Sequence, residues 1–113
     1  MAIGAKKKKK IMSSEELSSF CDQIALMLSS GMTLRDGIEM LAEDEMKGTD
    51  KVHPYTNLYK VVDETGSLYV AMKENEDDWP SYMIEMVDIG EQTGRLEDIM
   101  NSLSTYYQRE GRI

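Results

Sequence analysis

The sequence predicts an all-α protein, an antiparallel six-helix bundle built from three glycine-terminated αα-hairpins. Three observations lead there. Apolar residues recur at helical spacing through most of the chain, as in Leu17, Phe20, Cys21, Ile24, Ala25 and Leu28. The steps Ser30-Gly31, Thr65-Gly66 and Thr93-Gly94 each close one such stripe, and Leu34, Leu68 and Leu96 open the next. No stretch alternates apolar and polar residues for long enough to make a strand. The recurring unit is short and degenerate, so it reads as three similar hairpins and not as a duplication.

The first 12 residues lack periodicity and are expected to form a flexible lysine-rich arm, leaving 13–113 as one helical domain. Ser13 suits an N-cap and Glu16, three residues on, completes a capping box, so the first helix runs from there to about Ser30. Thr33 caps the second helix, with Asp36 at its positive end. That helix continues through Ile38, Leu41 and Ala42 to about Met46, and Lys47 to Lys51 read as a loop. Pro54 suits the first position of a third helix whose inner face is Leu58, Val61, Val62 and Thr65.

Gly66 ends that helix, and Leu68 to about Asn75 forms a short fourth one. A charged connector, Glu74 to Asp78, leads to Trp79, which is expected to fold onto the core, and to Pro80 at the next entry. The fifth helix covers Ser81 to Gln92 and the sixth Arg95 to about Arg109. Between them Gly94 takes the left-handed conformation that closes helices at little steric cost. Leu96, Ile99, Met100, Leu103 and Tyr107 face inward from the sixth. The ten methionines read as adaptable core filler, with Met32 the expected exposed exception.

Charge is unevenly placed. The formal net charge is −8, but Lys6 to Lys10 hold five of the 13 basic residues, so the rest carries 8 basic against 21 acidic side chains. A body so acidic excludes nucleic acid as a partner and suits basic protein surfaces. The lysine run either touches anionic lipid, at about 1 kcal/mol per residue, or is a solvated tail. The lone Cys21 excludes an internal disulfide and fits a reducing compartment. No apolar run approaches membrane-spanning length, and no signal-peptide core follows the basic start.

No catalytic constellation emerges. His53 falls in a loop, and Cys21 lies on the apolar stripe beside Asp22 and Glu16, the reverse of the setting that activates a thiol. Zinc ligands are too few, and the glycines are isolated, unlike a phosphate cradle. Glu43-Asp44-Glu45 and the Glu74–Asp78 run offer oxygens that leave calcium open, but neither has EF-hand spacing and solvated loops are the simpler reading. No metal ligand is therefore assigned. Glu91 is more pointed: an anion in the last turn of a helix opposes the dipole, so it needs a partner, with Arg95 nearest in sequence, or a role at a surface.

The spacing Val87-x-x-Gly90-Glu91-x-Thr93-Gly94-x-Leu96, followed by Leu103 and Tyr106-Tyr107, resembles the signature of the type II secretion system F domain. Phe20, Leu28, Ser30-Gly31, Leu34 and Ile38 to Leu41 match its opening, and Gly66-Ser67-Leu68 its middle. Trp79-Pro80 stands where the family commonly has Phe-Pro. The resemblance covers about Ser14 to the C-terminus. It implies a six-helix, non-enzymatic domain at the cytoplasmic face of the bacterial inner membrane, in a platform protein of type II secretion, type IV pilus or competence pseudopilus assembly. It further implies a membrane helix beyond Ile113, with Arg109 and Arg112 as its cytoplasmic-side charges, and a second similar domain.

The partners so implied are the assembly ATPase, other platform subunits and, in some relatives, a second copy held through a divalent cation. Gly31, Leu34, Gly66, Leu68, Gly90, Glu91, Gly94 and Leu96 are the motif positions, expected to be structural. Two other readings stay open: a free-standing soluble adaptor with no membrane link, and an acidic metal-dependent enzyme. About 20 apolar residues beyond Ile113 would exclude the adaptor. A metal-induced rise in thermal midpoint would favour the enzyme.

Overall fold

The computed structural model describes residues 12–48 and 54–111; the lysine run, His53 and Arg112 lie outside the described residues. The described chain is all-helical: α1 (Ser14–Ser29), α2 (Leu34–Gly48), α3 (Tyr55–Thr65), α4 (Leu68–Glu74), α5 (Ser81–Thr93) and α6 (Leu96–Glu110). One turn of 3-10 helix, Glu76–Asp78, lies within the charged connector before α5.

Local chemistry sets the helix starts. The Ser13 hydroxyl accepts from the Glu16 N–H at 3.1 Å, and the Glu16 carboxylate accepts from the Ser13 N–H at 2.9 Å, the expected capping box. Thr33 caps α2 through the Asp36 N–H at 3.1 Å. Three expectations need adjustment. Lys47 and Gly48 belong to α2, whose hydrogen-bond ladder continues past Met46. Pro54 is the N-cap of α3 and not its first helical residue; its carbonyl receives the Leu58 N–H at 3.1 Å. Thr65 is exposed, because the end of α3 turns it off the face that Leu58 and Val62 bury.

Gly31, Gly66 and Gly94 have φ of +94°, +75° and +72°. At Gly94 the N–H reaches the Glu91 carbonyl and the Arg95 N–H reaches the Gly90 carbonyl at 2.8 Å, a Schellman closure. Gly31 and Met32 repeat that pattern on Leu28 and Met27. An L side chain is strained in this conformation even where there is room for it. Gly94→Val should therefore lower stability by at least about 1 kcal/mol, read as a shifted denaturant midpoint; an unmoved midpoint would contradict the assignment.

Packing joins the chain's two ends. The most extensive helix contact is α1 against α6, followed by α2 against α3, while α1 and α2 touch far less. Ser18 donates to the Ser104 carbonyl at 2.8 Å, and a Cβ on Gly111 would stand 3.4 Å from that of Ser14, so α1 and α6 run antiparallel. Arg35 with Asp63, and Glu45 with Thr56, make α2 and α3 antiparallel as well.

The core runs through Phe20, Ile24, Ile38, Leu58, Val62, Leu68, Met83, Val87 and Leu103, with Met72 and Met100 fully buried as filler. Met40, at 47% exposure, is the exposed methionine among the described residues, while Met32 is half-buried. Trp79 is buried against Phe20, ring centroids 4.9 Å apart, and Phe20 stacks on Tyr55 at 5.6 Å.

Candidate functional site

The helix pairing gathers the three glycine turns at one end of the molecule. Arg35, just after the Gly31 turn, reaches Asp63 near the end of α3 at 2.7 Å. Ser67, just after Gly66, reaches Glu91 near the end of α5 at 2.7 Å. The Gly94 turn follows directly.

Glu91 is the centre of this end. Its carboxylate accepts from the Ser67 hydroxyl, from the Leu68 N–H at 2.6 Å and from the Tyr69 N–H at 3.3 Å. Ser67 in turn accepts from the Val70 N–H at 3.0 Å. Thr65 accepts from the Ser67 N–H at 3.1 Å. Every N–H that α4 leaves open at its start thus has a side-chain acceptor. The dipole argument is resolved at a distance: the anion disfavoured at the end of α5 sits at the favourable N-terminus of α4.

Arg95, the partner suggested by sequence proximity, pairs instead with Asp98 at 3.2 Å. Side chains within the α5–α6 turn diverge, while the start of α4 is laid against α5. A seven-residue helix is marginal by itself, so α4 depends on a residue 23 positions downstream of Leu68. Glu91→Ala should cost about 1–3 kcal/mol by orphaning half-buried donors and should speed amide exchange at Leu68 and Tyr69. Asp98→Asn, removing only an exposed pair, should be near neutral. Equal effects from the two would restore the Arg95 partnership.

Gly90 has a separate role. It is buried in α5, and a Cβ there would lie 2.9 Å from Ile99 Cγ1 and 3.1 Å from the Leu96 Cα. The missing side chain is what lets α6 cross so close. Leu68 is fully buried and Leu96 half-buried beside this contact, while Gly31 and Leu34 stand at the neighbouring α1–α2 turn.

Sequence reasoning missed Arg35, which bonds to Asp63, to the Tyr59 hydroxyl at 2.9 Å and to Glu39 at 3.3 Å, with its guanidinium 5.5 Å from the Tyr59 ring centre. Only the Arg35–Glu39 spacing was readable as a helical pair. At 44% side-chain exposure the cluster ties α2 to α3 without great strength.

The remaining chemistry is quiet. Burial, helped by Asp22, pushes the Cys21 thiol up to about 12, so it stays protonated and unreactive at neutral pH. An open polar groove of about 550 Å³ between α1 and α6 is lined by Glu15, Ser18, Ser19, Asp22, Ser104 and Gln108. The Ser18 hydroxyl there is committed to α6. Among the described residues no three His, Cys, Asp or Glu side chains converge as a metal site. Glu43 to Glu45 lie on α2 and not in a loop, and Glu45 bonds to the Thr56 N–H at 3.3 Å. No described helix is long and apolar enough to cross a membrane.

Comparison with known proteins converges on one family. The family model for the type II secretion system (T2SS), protein F, matches residues 20–113. The type IV pilus assembly protein PilC of Pseudomonas aeruginosa is 28% identical over 114 residues, a match taking in 95% of this chain and 28% of the relative's own length. With its motif glycines shaping one end of an all-helical domain, the chain belongs to the type II secretion system protein F family.

Proposed function

We propose that this is the non-enzymatic cytoplasmic domain of an inner-membrane platform protein in type II secretion or type IV pilus-like assembly, docking the cytoplasmic assembly ATPase and other platform subunits. The family match across residues 20–113 carries the reading. The name of the P. aeruginosa relative supports the pilus-like side of it. The antiparallel bundle of three glycine-terminated hairpins is part of the same proposal, supported by the left-handed glycines at all three turns. In this reading Gly31, Leu34, Gly66, Leu68, Gly90, Glu91, Gly94 and Leu96 maintain the domain's shape, and the acidic exterior steers a basic partner surface.

The test is to isolate the complete gene product from its own cells. Carbonate-resistant retention in the membrane, with the assembly ATPase recovered alongside it, is the expected result. Association should slow as salt rises toward physiological strength. Recovery entirely in the soluble fraction, without the ATPase, would favour the free-standing adaptor.

A further inference from the structure

We propose that the outer seam between α5 and α6 is a docking stripe for one amphipathic helix of a partner subunit, with an apolar face and lysine or arginine flanks. The inference rests on the docking reading above and gives it a surface and a partner chemistry. Among the described residues five large apolar side chains are exposed, and three of them share this seam: Tyr82 at 45%, Ile89 at 50% and Tyr106 at 39%. Tyr82 and Ile89 are seven residues apart on α5, so they stand on one face about 10 Å apart. The Tyr82 and Tyr106 rings pack with centroids 4.9 Å apart, and Tyr106 meets the buried Tyr107 ring edge-on at 4.9 Å. Ile99, seven residues before Tyr106, carries the stripe along α6 to the Gly90 crossing. The other two, Leu26 and Met40, lie on α1 and α2.

Size and charge select the occupant. A stripe two helical turns long suits the i, i+3, i+4 and i+7 anchors of a single helix. It is too small by itself to hold two folded subunits together, which takes roughly 1,200–2,000 Å² of buried surface. Charge opposes a second copy further, since each body outside the lysine run carries 8 basic against 21 acidic side chains. The rim of the stripe has the same sign. α5 contains Glu85, Asp88 and Glu91 and no Lys or Arg. Glu91 serves α4 and Asp88 accepts from Gln92 at 2.9 Å, while Glu85 is exposed between Tyr82 and Ile89. On the α6 side Asp98 pairs with Arg95, and Arg109 follows Tyr106 by three residues, so the negative edge belongs to α5. An apolar stripe with one acidic edge orients an incoming helix, its apolar face on the tyrosines and its cations over Glu85. Tyrosine rings already held by packing lose little freedom when a partner covers them.

The test titrates the 113-residue chain into labelled synthetic helices of about 18 residues, read by fluorescence anisotropy. One helix has a leucine face and lysine flanks, one the same face with glutamate flanks, and one the same lysines with its leucines scattered around the helix. Only the first should bind well, and Tyr82→Gln with Ile89→Gln should raise its Kd about tenfold or more. Leu26→Gln with Met40→Gln, which removes as many exposed apolar side chains elsewhere, should leave that Kd unchanged. Glu85→Lys alters only an exposed residue and should weaken binding several-fold at low salt, the difference closing at about 0.5 M salt. It keeps the proposal falsifiable should the double seam variant be less stable. Equal binding of the scattered helix, an unchanged Kd in the seam variants, or dimerisation of the chain that those variants abolish would overturn the proposal. The ATPase and the membrane are absent from this assay, so its failure is distinct from failure of the co-recovery test above.

Discussion

Replacing Trp79 with alanine should lower stability by about 3–5 kcal/mol, the range for deleting a large buried aromatic side chain. Trp79 is 2% exposed and sits between the charged connector and α5, packed on Phe20, which itself stacks on Tyr55 of α3. Losing the indole removes one partner from an aromatic contact joining α1 to the entry of α5, and leaves a cavity that a helical core closes only in part. Among the described residues the buried indole Nε1 has no hydrogen-bond partner, which gives the site an unusual second property. A buried donor without an acceptor carries a desolvation cost that phenylalanine does not. Trp79→Phe should therefore cost well under half as much as Trp79→Ala. Equilibrium denaturation of the two variants checks this. A phenylalanine variant as unstable as the alanine one would mean that the N–H is satisfied or that shape alone governs the site.

Gly90→Leu should be of similar size, about 3 kcal/mol or more, for the opposite reason. The site has no room: even a Cβ meets Ile99 Cγ1 at 2.9 Å and the Leu96 backbone at 3.1 Å. Ile99 can shift, but the Leu96 Cα moves only if α6 withdraws from α5. Overpacking of this kind costs typically 1–3 kcal/mol where side chains can adjust and more where backbone must. Alanine offers a graded comparison. Its helix propensity over glycine returns about 1 kcal/mol, so Gly90→Ala should be only mildly destabilising. A leucine variant with wild-type stability would show that the two helices are not held at this distance.

The helices were legible because their signals are local. Ser13 with Glu16, Thr33 with Asp36, and the left-handed glycines act within a few residues, and each appears where spacing placed it. The core stripe of α1, from Leu17 to Ala25, follows directly from helical periodicity. The errors were at boundaries and exposures set by neighbouring elements: Lys47 and Gly48, Pro54, Thr65, and the exchange of Met32 for Met40. Of the candidate site, the sequence singled out Glu91 as an anion in need of a partner or a surface role, but the nearest candidate, Arg95, pairs with Asp98 and the partners come from the start of α4.

By itself, then, the sequence determined the helical class, the turn positions, the buried faces and the resemblance to the family, since these follow from backbone conformation and amphipathic period. Only the tertiary structure decided that α1 packs chiefly on α6, that Glu91 caps the start of α4, and that Gly90 is empty so that Ile99 can approach. Each of these joins residues far apart in the chain, and no local propensity records which distant helix will supply the missing acceptor or fill the missing space.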